Sequence, residues 1–268
     1  MSTRYSSVAG SFYPENCSEI ERYIEHFNKV VDDTSYTFET GFTPRALISP
    51  HAGYIYSGFT ANLAYRTVSQ NSKNIRRVIV IGPSHRAYIK GASVGLYDTY
   101  QTPCGNLKVD LHYSLELEKK FGFLHFSPEA HFEHSTETQM PFIAHYFNGV
   151  EVVEIVYAEI SSTEISELID ELLKDESNLV VISTDLSHFY TKEKARMLDD
   201  ICIDAIANLD LKRIDQGCEA CGMIGVKAVI ESAVGAGLKS TVLDYRTSAD
   251  SSGDESNVVG YTSAIFGK

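Results

Sequence analysis

Three histidines in this chain stand in polar turns just beyond short apolar runs: His51 in Pro50-His51-Ala52-Gly53, His85 in Gly82-Pro83-Ser84-His85, and His188 in Thr184-Asp185-Leu186-Ser187-His188. Imidazole titrates near neutrality and offers a lone pair to metals, so three imidazoles reaching one place read as an acid/base or ligating site. Glycine and proline flank the first two, which fixes those turns and lets backbone or ligand approach closely. A further group is Gln216-Gly217-Cys218-Glu219-Ala220-Cys221-Gly222-Met223, two cysteines directly before an expected helix. Free N–H groups and the positive end of a helix favour thiolate there, and a thiolate binds metal or attacks. The competing readings are small half-buried apolar side chains and a redox Cys-x-x-Cys pair, although a helix and turn precede the motif where a thioredoxin-like fold would have a strand. A zinc ribbon is excluded, because no second pair stands at the required spacing.

The elements that must carry these residues follow from periodicity. Arg45–Ser49, Val78–Ile81 and Leu179–Ser183 are unbroken apolar runs, the pattern of strands buried on both faces of a parallel sheet. In such sheets ligands sit outside the carboxyl ends of the strands, where all three histidine turns emerge. Ser161-Ser162-Thr163-Glu164 opens a helix as a capping box, with Ile165, Leu168, Ile169, Leu172 and Leu173 on one face before the Leu179 strand. Helices are also expected over Leu198–Leu209, Met223–Val234, Ile20–Val31 and Phe59–Val68, giving the strand, loop, helix rhythm of an α/β protein. Gly235-Ala236-Gly237 reads as a helix C-cap. Gly91-Ala92-Ser93-Val94-Gly95 matches a nucleophile elbow in letters only, since a strand and turn follow it where a helix is required.

His131-Phe132-Glu133-His134-Ser135-Thr136-Glu137-Thr138-Gln139 gathers histidines and carboxylates where a helix begins, with His134 and Glu137 on one face. It reads as a capping cluster or as part of a site, and its spacing is not that of a zincin.

At 268 residues without a linker or repeat, a single domain over 1–268 is expected, with Ser248–Ser256 as a polar acidic loop. Against 23 Lys+Arg stand 36 Asp+Glu, a formal charge of −13 that argues against nucleic acid or an anionic membrane as partner. The first residues lack the apolar core of a signal peptide and no later run approaches a membrane span, so a cytoplasmic protein is expected. On that expectation the five scattered cysteines are reduced thiols.

Six segments together resemble the ordered motifs of the Memo family: Val8-Ala9-Gly10-Ser11-Phe12-Tyr13-Pro14, Pro50-His51-Ala52-Gly53-Tyr54, Gly82-Pro83-Ser84-His85, Glu133-His134-Ser135-Thr136-Glu137, Ser183-Thr184-Asp185-Leu186-Ser187-His188 and Cys221-Gly222. The resemblance spans nearly the whole chain. It implies a single-domain α/β fold with a mainly parallel central sheet flanked by helices, like that of LigB-type class III extradiol dioxygenases. It further implies that His51, His85 and Cys221 hold one transition metal, with iron first and copper or zinc also compatible, and that His188 is the acid/base residue with Asp185 orienting it or a metal-bound water. Tyr54, His134 and Glu137 would line the substrate side. Cys221 stands where those dioxygenases have a carboxylate, which keeps the negative charge and softens the site. A metal-dependent redox enzyme acting on a small molecule is the leading expectation. The alternative is a non-catalytic metal-handling or peptide-binding protein, and AMMECR-family and radical-SAM proteins are implied as partners.

Overall fold

A computed structural model describes residues 2–34 and 36–268. Its centre is five parallel strands in spatial order Gly105–Val109, Glu151–Tyr157, Arg77–Pro83, Asn178–Ser183, Pro44–Ser49. Antiparallel strands extend one side, where Val258–Gly267 pairs with Pro44–Ser49 and then with the hairpin partner Lys239–Thr247. On the other side Thr99–Thr102 pairs antiparallel with Gly105–Val109. Ala92–Val94 also pairs antiparallel with the carboxyl half of Glu151–Tyr157, beyond the two residues that Gly105–Val109 covers.

The inner strands alternate between two cores. Ile48, Ile79, Ile81, Ile155 and Ile182 face one layer, where the helices Ser162–Leu172 and Met223–Ala236 supply Ile165, Leu168, Val226 and Val229. Leu47, Val78, Val80, Val152 and Val181 face the other, against Ile20 and Ile24 of the helix Cys17–Asp32 and Ala64, Tyr65 and Val68 of Tyr54–Asn71. Burial on both faces explains why the central strands are apolar without alternation. The expected capping box is present, with Ser161 Oγ accepting from Glu164 N–H and Glu164 reaching back to Ser161. Gly237 closes the Met223–Ala236 helix at φ +64°, as a C-cap glycine does. Ser248–Ser256 is partly ordered as the short helix Ala249–Ser252.

Register brings the site residues to one edge. Ser49 pairs with Ser183, and Ile81 pairs with Ile182, so the three histidine turns leave the sheet at the same level. No helix among the described residues is long and apolar enough to cross a membrane.

The cysteine expectation is corrected. Cys17 is joined to Cys104 and Cys202 to Cys218, leaving only Cys221 free. The fold carries the start of the Cys17–Asp32 helix onto the turn between Thr99–Thr102 and Gly105–Val109, so that residues 87 apart in sequence have Cα atoms 4.7 Å apart. That is within bridging distance, and sequence spacing alone does not reveal it.

Candidate metal centre

His51, His85 and Cys221 converge. One donor atom from each lies within 4.8 Å of the others. The arrangement is built from close approaches that only glycine permits. A Cβ on Gly82 would stand 2.7 Å from Ser135 Oγ, so the strand end carrying His85 can lie against the His134–Glu137 helix only without a side chain. A Cβ on Gly222 would meet Thr184 Cβ at 2.6 Å, and its absence lets the Cys221 turn rest on the strand end that leads to Asp185.

Each imidazole is held through Nδ1. His85 Nδ1–H donates to Glu133 Oε1 at 3.1 Å, and its backbone N–H donates to Oε2 at 2.6 Å. A carboxylate only accepts, so His85 Nε2 carries the free lone pair. Ser183 Oγ donates to the Ser135 carbonyl and accepts from Gln139 Nε2, so its contact of 2.9 Å with His51 Nδ1 is one in which the ring donates. His51 Nε2 is then also a lone pair, 3.3 Å from Cys221 Sγ. Rings oriented in this way through the second nitrogen are the usual support of metal-binding histidines.

The electrostatics agree. Burial lowers the pKa of His51 to about 4, with Asp185 opposing and the His134 and His85 rings reinforcing, so the ring is neutral at pH 7. Burial, helped by the Asp185 carboxylate, pushes the Cys221 thiol up to about 12, and the Asp185 N–H lies 3.2 Å from its sulfur. A metal cation would displace that proton and bind the thiolate. Burial alone would raise Glu133, but the His134 ring, with Nδ1 2.9 Å from Oε1, and hydrogen bonds from the His85 ring and backbone and from Ser135 N–H outweigh it and hold the carboxyl far below its ordinary range. Two imidazoles and one thiol, with a fixed anion behind His85, form a donor set that suits a first-row transition metal.

The other expected residues are distributed around this cluster. Asp185 Oδ1 accepts the His51 backbone N–H at 2.8 Å. It makes no hydrogen bond to His188, so of the two expected roles, orienting that ring or orienting a metal-bound water, the first has no contact to carry it. His188 Nδ1–H donates instead to the Leu186 carbonyl at 2.7 Å, leaving Nε2 available as a base. His134 borders the cluster, its ring centroid 4.5 Å from that of His85 and 5.4 Å from that of His51. Tyr54 and Glu137 do not reach it. Tyr54 stacks on Phe142 in the core and donates to the Thr138 carbonyl. Glu137 is wholly buried and binds Arg4, Tyr13 Oη and the N–H groups of Ser7 and Val8. Their polar atoms are committed to these contacts within the frame.

Of two further groups spaced for a metal among the described residues, His85–Glu133–His134 shares a histidine with the first, and Cys17–Glu21–Cys104 is closed by its disulfide. Sequence reading missed Glu133, Ser183 and Gln139 as supports. The one available signal for Glu133 was its place beside His134 in the histidine-rich segment.

Fold and site together define an α/β protein with a His-His-Cys donor cluster at the carboxyl edge of its parallel sheet. The family model described as "Memo-like protein" matches residues 4–265. A MEMO1 family protein of Aquifex aeolicus is 34% identical over 280 residues, covering 99% of this chain and 100% of that protein. Another from Methanobrevibacter smithii is 34% identical over 282 residues, covering 98% and 99%. One from Archaeoglobus fulgidus is 30% identical over 276 residues, covering 98% and 99%. This chain belongs to the Memo family.

Proposed function

We propose that the chain is a mononuclear metal protein of dioxygenase-like type, with His51, His85 and Cys221 holding iron in preference to copper or zinc. The observation that supports this is the convergence of three donors whose two rings are each fixed through Nδ1. When bound, the metal supplies a Lewis-acid and redox centre for oxygen and an oxygen-rich small molecule.

The chain's own residues do the rest. Glu133 and Ser183 hold the two rings in one tautomer, and Asp185 fixes the His51 backbone. His188, tied through Nδ1 to Leu186, takes a proton from a substrate hydroxyl at Nε2 and returns it. His134 walls the substrate side. Association with AMMECR-family and radical-SAM proteins belongs to the same proposal and is checked by co-purification.

Elemental analysis of anaerobically purified protein, paired with oxygen-consumption assays on catechol-like substrates, tests the reading. One metal per chain is expected, lost in His51→Ala and Cys221→Ser. His188→Gln keeps the metal and slows turnover by about 10²–10⁴, the usual contribution of a positioned acid/base. Bound metal with no oxygen uptake in the unaltered protein would favour metal handling over catalysis, and absence of metal would remove the site.

A further inference from the structure

The opposite edge of the sheet holds a second feature that the metal site does not use. At the amino-terminal ends of the parallel strands lies a cavity of about 850 Å³. It is bordered by the start of Pro44–Ser49, the loop before Arg77–Pro83 and the loop before Asn178–Ser183. The six residues of Pro44–Ser49 separate it from the metal cluster by about 20 Å at the usual rise of a strand.

Arg45 lines this cavity with only 6% of its surface exposed. A guanidinium taken out of water is costly unless an anion accompanies it. Its Nη2 donates to the carbonyls of Leu173 and Asp175, each at 2.9 Å, where the Ser162–Leu172 helix ends. Its Nε is buried with no acceptor, and no carboxylate among the described residues lies within ion-pair distance. Lys73 and Arg76 line the same cavity and form no ion pair among the described residues. Of the two acids on the rim, Asp175 accepts the N–H and O–H of Ser177 and stands 3.5 Å from Arg77, which leaves Glu176 as the uncommitted one. In a chain of net charge −13, the basic side chains lining this cavity, Arg45, Lys73, Arg76 and Lys268, outnumber the acidic ones, Asp175 and Glu176, by four to two.

We infer that this cavity is a binding site for a small polyanion bearing phosphate or carboxylate groups. The buried Arg45 guanidinium would supply fixed positive charge behind the anion, while Lys73 and Arg76 close over it from the rim. The planar fork suits the oxygens of either anion, and the cavity has the volume of a small-metabolite site.

Isothermal titration of the purified chain at low salt, with inorganic pyrophosphate and with citrate, provides the test. Saturable one-to-one binding of at least one anion is expected, and the tighter of the two names the preferred oxyanion. Lys73→Glu/Arg76→Glu changes exposed side chains only and should weaken binding by about tenfold or more, with weakening also in 0.5 M salt on the order expected from screening. Arg45→Met should abolish binding. If that variant fails to fold, the rim variant decides the matter alone. His51→Ala should bind as the unaltered protein does. No saturable heat with either anion, unchanged binding in the rim variant, or loss of binding in His51→Ala would each overturn the inference. In the first two cases Arg45 is only a cap on the helix end, and in the third the anion sits at the opposite edge.

Discussion

Two histidine–glutamate pairs lie close together in this molecule and do different work. His85 Nδ1 meets Glu133 Oε1 at 3.1 Å, and His131 Nδ1 meets Glu154 Oε2 at 2.7 Å. The His85 side chain is 32% exposed, and its other nitrogen joins the donor cluster. The His131 side chain is fully covered, and its other nitrogen meets Ser93 Oγ at 2.8 Å. Glu154 also takes hydrogen bonds from Tyr100 and Thr136. The carboxylate does the same thing in both pairs by holding the ring. What separates a ligand from a beam is the fate of the second nitrogen, which is open to the sheet edge in one and closed by a serine in the other. Ser93, whose surroundings resemble a nucleophile elbow in letters, belongs to the closed pair and is inaccessible.

The contrast breaks most visibly at the closed pair. Glu154→Ala leaves His131 and Arg4 facing an empty buried position, and loss of one partner from such a network should lower stability by about 3–5 kcal/mol in urea unfolding. The folded fraction should keep its metal. Cys218→Ser opens a bridge spanning 16 residues and should cost about 3 kcal/mol by the same measurement, with metal content unchanged. Cys221→Ser, three positions on, should show the reverse pattern. At the open pair, Glu133→Gln should weaken metal binding by about 10–100-fold, as second-nitrogen partners do, with a smaller loss of stability than Glu154→Ala. Metal titration with unfolding on the same samples checks this, and equal stability losses would mean that both pairs are beams.

The smallest effect is in acid. Burial alone would raise the Glu154 carboxyl, but His131, Arg4 and the hydrogen bonds from His131 and Thr136 outweigh it and leave it below the ordinary 4.5. Its folded value is depressed, so its contribution to stability is complete above about pH 4.5 and fades as pH falls through the folded value. Glu154→Gln should therefore show a flatter fall of unfolding free energy below pH 4.5 than the unaltered chain, and an identical slope would deny the pair its charge.

The open pair was half legible in the sequence. Runs such as Val78–Ile81 and Leu179–Ile182 declare buried strands because no polar residue interrupts them, and the turns that follow declare His51, His85 and His188. The strand Glu151–Tyr157 was not read from its pattern, since Glu154 sits in the middle of an otherwise apolar run for reasons that lie in Arg4 and His131. Glu133 and Ser183 support their histidines through contacts 48 and 132 residues away, which no local period can announce. The two disulfides were hidden for the same reason. Nearness in sequence suggests Asp185 for orienting His188 or a metal-bound water, and the direction of its carboxylate, back to the His51 backbone, is set by the turn and not by spacing.

The grip of Glu137 on the first residues also bears on the order in which the chain assembles. Ser7 and Val8 emerge from synthesis early, yet the carboxylate that binds their N–H groups follows about 130 residues later. Closing so long a loop is entropically slow and is rewarded only after the central strands have gathered. The leading segment should therefore stay undocked through most of folding and lock down late, after the helix carrying His134 and Glu137 has settled on the strand end at Gly82. Hydrogen-exchange labelling during refolding should accordingly find the amides of Ser7 and Val8 protected after those of Val78–Ile81, so that a segment made before the central strands becomes native after them.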